Sequence, residues 1–373
     1  MFSKFFNPQL LHEALLSAAP DTKKALAILA SKNFGTTDLA QLLLSFNDPE
    51  VRQAVIEAAA EQRKKLWQQQ LFLMPPLYIS AGDPKSHGCL DHCTYCFWRN
   101  GNVPEEQLAR LSPEEVQVEA RHLVSMGYGD IELVAATDGN LLDPQRAAEM
   151  VAAARQGGAQ NIGINFFPMR TVDDYRVLVD AGCTYAIVWQ ETYLAKKYDE
   201  VHPRGPKSQM NYRLDAHDRA LQGGVPTAGV AFLGGLADWR FEALATMVHA
   251  RYLEQTYNAN IIFGMPRRKD AGGNSVNLGT EYYDDAAYEF VGALFSLAIP
   301  AALPWFSTRE DFDLSAQCVR GGGCLFTLDC STEVGGYTKQ GGFGQFPVHS
   351  RSISDGINWL KALGFSPKTN LPW

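Results

Sequence analysis

The sequence predicts an α/β fold: a (β/α)8 barrel of the TIM type with a helical extension in front of it. Three observations lead there. Short apolar runs alternate regularly with segments of helical period, which asks for a parallel sheet. Eight such runs can be counted, each followed by a helix candidate, which asks for closure. The chemically unusual residues also gather in the segments directly after those runs, the end of a barrel where active sites form. A chain of 373 residues, 46% hydrophobic and 20% charged, has the length and the apolar content for this.

Residues 1–72 read as helices. "DTKKALAILASKN" and "PEVRQAVIEAAAEQRKKLWQQQ" are rich in Ala, Leu, Lys and Glu and show no strand-like alternation. The division into domains follows: an extension over 1–72 and a barrel over 73–373. "PPLYIS" turns the chain into a first strand at about 77–80. In "SPEEVQVEARHLVSMG", Ser112 is an N-cap, Pro113 takes the first helical position and Glu115 completes a capping box. Strands are then predicted at about 131–135, 162–167, 184–190, 227–233, 259–264, 300–306 and 324–328. Between them lie helical segments such as "DPQRAAEMVAAARQ" and "DWRFEALATMVHARYLEQ". The uncharged run from Phe290 to Thr308 approaches the length of a membrane span. Pro300 and Pro304 interrupt it, so it reads as a buried helix followed by a buried strand.

The net charge of −8 offers no footing for a polyanion, so nucleic acid is not the expected partner, and neither is a membrane. No charged segment, apolar run and cleavage site appear in order at the N-terminus. Seven cysteines, three of them crowded at 89–96, do not form the pattern of a secreted disulfide framework. A reducing cytoplasm with thiols free to hold metal is the expectation.

Those three are Cys89, Cys93 and Cys96 in "HGCLDHCTYCFWRN", spaced C-x3-C-x2-C. A closed zinc site would need a fourth ligand, with His87 or His92 as candidates. A [4Fe–4S] cluster held by three thiolates leaves one iron open for the amino and carboxylate groups of a small molecule. This spacing, with the aromatic Tyr95 just before the last cysteine, resembles the radical S-adenosylmethionine (SAM) enzymes. The resemblance implies that the open iron binds SAM and that its reductive cleavage gives a 5′-deoxyadenosyl radical. It also implies an electron donor such as flavodoxin or ferredoxin.

"WQETY" (189–193), "HPRGPK" (202–207), "YRLDAHDRA" (212–220), "GGLADWR" (234–240) and the later "STRE" and "CSTEVGGY" narrow the resemblance to the aromatic amino-acid lyase branch. It covers about 70–365. By that resemblance Cys89, Cys93 and Cys96 hold the cluster, and Tyr95 packs near the adenine. Glu191 accepts from the SAM ribose, and Arg213 pairs with the SAM carboxylate. Arg309 clamps the carboxylate of an amino-acid substrate, while Cys330 and Ser331 line the same pocket. The branch usually carries Gly-Glu after the second strand. Here the chain reads Ala136-Thr137-Asp138, so Thr137 and Asp138 stand where the SAM amino group would be held. Relatives tend to carry Ser at 330, so Cys330 makes the pocket less polar and questions tyrosine as substrate. The implied reaction is hydrogen abstraction from a free amino acid, then scission next to its α-carbon. A mutase, a sulfur-inserting synthase and a non-catalytic metal-binding protein are the rival readings. Cys318, Cys324 and Cys330 are evenly spaced, but a helix end, a turn and a strand would place them on different layers of the wall.

Overall fold

A computed structural model describes residues 1–268, 283–339 and 344–373. "RRKD" (267–270) reads in the sequence as a charged loop, and its Lys269 and Asp270 lie outside the described residues. Among the described residues ten strands run parallel in one curled sheet. They are β1 (Gln70–Leu73), β2 (Pro76–Ser80), β3 (Asp130–Ala135), β4 (Asn161–Asn165) and β5 (Cys183–Glu191). After these come β6 (Thr227–Phe232), β7 (Asn260–Met265), β8 (Leu303–Phe306), β9 (Leu325–Phe326) and β10 (Ser366–Lys368). From β2 to β9 each strand pairs with the next in sequence, except that the ends meet differently. β1 pairs with β9 and β10, and β2 pairs with β3. These two are halves of one extended segment, broken at Met74-Pro75-Pro76. Two consecutive prolines have no N–H to give a ladder, so the segment changes partner there. The barrel wall thus passes from β9 to β3 through a single stretch of backbone.

Two strands go beyond the eight predicted, β1 and β10. β10 is three residues long and two of them are exposed, so it carries no apolar signature. Its segment has a plain structural task. Gly129 N donates to Thr369 O at 3.0 Å, and Leu371 N donates to the buried Asp130 carboxylate at 2.5 Å. Leu371 and Trp373 then pack with Phe72, Tyr185 and Leu325 and close the lower end of the barrel.

Ser112 caps the helix Pro113–Ser125, with the Glu115 carboxylate returning to the Ser112 N–H at 2.8 Å. The uncharged run resolves into the buried helix Asp285–Ala298 and β8. No helix among the described residues is long and apolar enough to cross a membrane. The N-terminal helices, from Phe2–Phe5 to Pro49–Trp67, pack on the outer ring. Pro49–Trp67 buries Val51, Val55 and Ala59, one stripe at four-residue spacing, and lies on Asp285–Ala298.

The period of two is plain in β3. Ile131 and Leu133 face the helices, whereas Glu132 and Val134 face the barrel interior. That alternation decides which side chains reach the site.

Candidate active site

A cavity of about 240 Å3 opens at the C-terminal ends of the strands. Its rim holds Cys89, Cys93 and Cys96, and its walls carry Tyr78, Trp189, Trp305 and Phe346. The cysteine loop follows β2 and is fastened through its backbone. Leu90 N donates to Thr137 O at 2.9 Å, Thr94 N to Val201 O at 3.0 Å and His92 N to Arg204 O at 3.2 Å. The buried Asp91 carboxylate accepts from Lys207 N at 2.7 Å and from the Thr137 hydroxyl. Three strand-end loops are therefore tied together before any side chain reaches the cavity.

Burial raises the thiols, Cys89 to about 12 and Cys93 and Cys96 upward as well. Bound iron has to displace those protons, as at any thiolate site. Among the described residues no three His, Cys, Asp or Glu side chains converge closely enough for a single ion. His87 is exposed and bonds Glu105 at 2.9 Å, away from the cysteines. The closed zinc site therefore does not assemble. Three thiols on one loop suit a [4Fe–4S] cluster instead, because each thiolate of a cubane binds a different iron and they stand apart.

Glu191 ends β5 in a left-handed backbone conformation, φ 71°, at a register shift between Trp189 and Glu191. Non-glycine residues rarely adopt this, and such strain gathers at functional sites. The next residues are held by Glu242, whose carboxylate accepts from the Thr192 hydroxyl and from Tyr193 N at 2.8 Å. Glu191 pairs with Lys207 Nζ at 2.6 Å, and the same ammonium donates to the Tyr95 hydroxyl at 2.9 Å. The Tyr95 hydroxyl also meets His202 Nε2 at 3.0 Å. Burial and the cations nearby push His202 down to about 2, so its ring is neutral.

Two buried guanidiniums face this cavity without a carboxylate partner among the described residues. Arg213 donates to Trp189 O at 2.6 Å, and its Nε has no acceptor. Asp215 and Asp218, its neighbours in sequence, are occupied by Ser3, Phe2, Tyr252 and Tyr257. Arg309 lies over the Phe346 ring at 3.9 Å, donates to Arg267 O at 3.2 Å and leaves Nε without an acceptor. Burial lowers its pKa. Buried guanidiniums beside a cavity with no carboxylate in direct contact make a receptor for anionic groups of a ligand, although Glu191 and Asp91 act on Arg213 at longer range.

Residues 84–248 match the family described as the radical SAM superfamily, and that stretch contains all three rim cysteines. Over those residues the chain is similar to a radical SAM domain. The family uses a [4Fe–4S] cluster and SAM, in agreement with the donor set at the rim. The 2-iminoacetate synthases of Escherichia coli and Salmonella typhimurium are 25% and 23% identical over 207 residues, 54% of this chain. The chain spans about half the length of these curated relatives, 52% in each case. Among solved structures, HydG, a maturase of the [FeFe]-hydrogenase, superposes with a TM-score of 0.86 at 25% identity, over 98% of this chain and 81% of HydG. HydG of Carboxydothermus hydrogenoformans gives 0.86 at 26%, over 98% and 83%. Methylornithine synthase gives 0.75 at 18% identity, over 92% and 97%, a likeness of fold. The 2-iminoacetate synthases and the HydG structures agree with the aromatic amino-acid lyase branch read from the motifs.

Residues 84–248 and the segment after them bring Tyr95, Thr137, Glu191, Arg213 and Arg309 to one cavity with the three cysteines. Three predicted residues stand outside its lining. Asp138 is a correction: its buried carboxylate is taken by Arg110 Nε and Nη2, both at 2.6 Å, and by the Ser80 hydroxyl at 2.6 Å. So clamped, it braces β2 against β3 and has nothing to offer a ligand. Cys330 is buried behind Thr308, whose hydroxyl lies 3.8 Å from its sulfur, and Ser331 Oγ accepts from Glu333 N at 3.3 Å. Cys318 and Cys324 lie in separate apolar clusters. Lys207 was missed by the sequence reading as a site residue. "HPRGPK" held it, but a lysine in a loop looks like a solvated charge until Glu191 and Tyr95 are seen around it.

Proposed function

We propose that this chain is a radical SAM carbon–carbon lyase that cleaves a free amino acid next to its α-carbon. The observation that carries the reading is Arg309, a buried guanidinium without a carboxylate, on the cavity that the three cysteines rim. A guanidinium fork recognises a carboxylate by two parallel bonds, and in a dry site such a pair is a strong anchor.

Cys89, Cys93 and Cys96 would hold the cluster, with Glu191, Arg213, Tyr95 and Thr137 arranged for SAM. When bound, cluster and SAM supply a 5′-deoxyadenosyl radical after one-electron reduction. The chain's own part is placement. Arg309 fixes the substrate carboxylate, so the amino group and α-carbon are presented to the rim rather than tumbling in the cavity. Lys207 holds the Glu191 carboxylate in position through the 2.6 Å ion pair. Trp189, Trp305, Tyr78 and Phe346 exclude water, which protects a reactive intermediate from side reactions. A small one-electron donor, a flavodoxin or a ferredoxin, would provide the electron, in a cytoplasmic setting.

The test is an anaerobic assay of 5′-deoxyadenosine release across the amino acids, with mass spectrometry of the products. The proposal expects one or a few amino acids to stimulate release and to yield a side-chain fragment. Release that no amino acid stimulates would overturn it.

A further inference from the structure

Three carboxylates line the cavity: Asp91, Glu132 and Glu191. Asp91 is consumed by Lys207 N and Thr137, and Glu191 is paired with the Lys207 ammonium. Glu132 has neither a cation nor a second hydrogen-bond donor among the described residues. It projects inward from β3, below Val134 and well beneath the rim, in register with Pro76 of β2 and Gly163 of β4. Asn165 Nδ2, on β4, donates to its Oε1 at 3.0 Å. Among the described residues Oε2 has no partner at all.

Of the other polar groups in this region, the buried Tyr185 hydroxyl, within electrostatic reach of Glu132, has no hydrogen-bond partner, whereas Trp305 and Thr327 are committed. Trp305 Nε1 donates to Thr327 Oγ1 at 3.1 Å, and Thr327 Oγ1 donates to Met74 O at 2.7 Å. A carboxyl is costly to bury without a partner, and here burial pushes Glu132 up to about 8. Nothing in the fold needs it. Glu132 makes no bond that joins elements other than its link to Asn165 on the neighbouring strand, and an apolar residue would pack there at lower cost. The rest of the surround is aromatic: Tyr78, Trp189, Trp305 and Phe166. Tyr78 lies within electrostatic reach of both Glu132 and Arg309, so the two ends of the pocket share a wall.

We infer that Glu132 is a specificity-determining residue, accepting a hydrogen bond from a donor at the far end of the substrate's side chain. This rests on the cavity being the amino-acid pocket proposed above. With Arg309 holding the carboxylate, the side chain points down between the indoles to Glu132. The substrate class is then an α-amino acid with an N–H or O–H at its tip, a phenol, an indole or an ammonium. Those share one chemistry, donation to a carboxylate, and the aromatic walls accept either a ring or a cation.

The test measures equilibrium binding by calorimetry to the reconstituted protein with SAM and no reductant, so that no turnover is needed. The ligands are matched pairs, tyrosine with phenylalanine and lysine with norleucine, plus tryptophan. A site built around a buried acceptor rejects the analogue that lacks the donor, here by at least about 100-fold. Glu132→Leu should erase or reverse that preference. Glu132→Gln, which keeps the size and the Asn165 link, separates the sources: a phenol or indole preference survives an amide acceptor, whereas an ammonium preference is lost. Far-UV dichroism of both variants guards against misfolding, and the Gln variant stands in if the Leu variant fails to fold. Equal affinity of the wild type for both members of each pair overturns the inference, as does a preference unchanged in Glu132→Leu. If the donor preference is found while reduced protein cleaves no SAM, the pocket assignment stands and the lyase reading falls.

Discussion

Replacing Arg309 with Met separates a binding residue from a structural one. In the ligand-free protein Arg309 has one backbone acceptor at 3.2 Å and the Phe346 face at 3.9 Å. Those are worth about 1.5–3 kcal/mol for a charged hydrogen bond and about 0.5–1 kcal/mol for the ring contact. Against them stands the desolvation of a buried guanidinium that no carboxylate offsets, a penalty of several kcal/mol. The two sides nearly cancel, so Arg309→Met should shift Tm by no more than about 2–4 °C in either direction. Substrate tells a different story. Removing one partner of a buried charge pair costs about 2–5 kcal/mol, which is roughly 30- to 4,000-fold in affinity or kcat/KM. Uncoupled SAM cleavage should persist in the variant, because that step uses the rim and not Arg309. The assay is 5′-deoxyadenosine release with and without amino acid, beside a thermal melt. A collapse of Tm with unchanged amino-acid dependence would refute the reasoning and make Arg309 a structural residue. Loss of SAM affinity instead would exchange the roles of Arg309 and Arg213.

Gly205→Ala should disorganise the cysteine loop, since a Cβ there would stand 2.4 Å from Asp91 Oδ1 and 2.6 Å from Leu90 O, at φ 100°. Iron content after reconstitution should drop sharply while dichroism keeps its shape. Lys207→Met should leave the Glu191 carboxylate buried and unpaired, at a cost of about 3–5 kcal/mol. SAM binding should weaken and the melt should fall, both measurable without turnover. Glu242 is pushed up to about 8 by burial from its ordinary 4.5. It is neutral in the fold and ionised in the unfolded chain between those values, so the stability it contributes is present below pH 4.5 and is lost as pH rises through about 8. Glu242→Gln keeps one oxygen to accept from Tyr193 N and turns an amide N–H toward the Thr192 hydroxyl, and it should flatten part of the fall of Tm across that range.

Much of the barrel was legible because its strands are buried on both faces and read as apolar runs, as in "IELVA" and "TYAIVWQ". β1 escaped because "QLFL" follows a helix after only two residues and carries no turn signal. β10 escaped because an exposed three-residue strand has no apolar face to show. Within the site, the cysteine spacing and the strand-end Glu191 could be read in one dimension. The fate of Asp138 could not, because Arg110 reaches it from a loop 28 residues away. Glu132 was hidden for a similar reason: within "IELVA" it occupies the inward phase of the strand, which only the curled sheet turns into a pocket wall. Lys207 needed the fold to bring it to Glu191.

The most direct test of the central claim is a product balance under anaerobic conditions with a one-electron reductant. For the amino acid that best stimulates SAM cleavage, 5′-deoxyadenosine, the side-chain fragment and the two-carbon amino-acid remnant are quantified together. The account predicts that all three accumulate in equal amounts and that Cys96→Ala yields none. A product with the mass of the intact amino acid, or with sulfur added, would mean that the α-carbon bond is not the one finally broken and would contradict it.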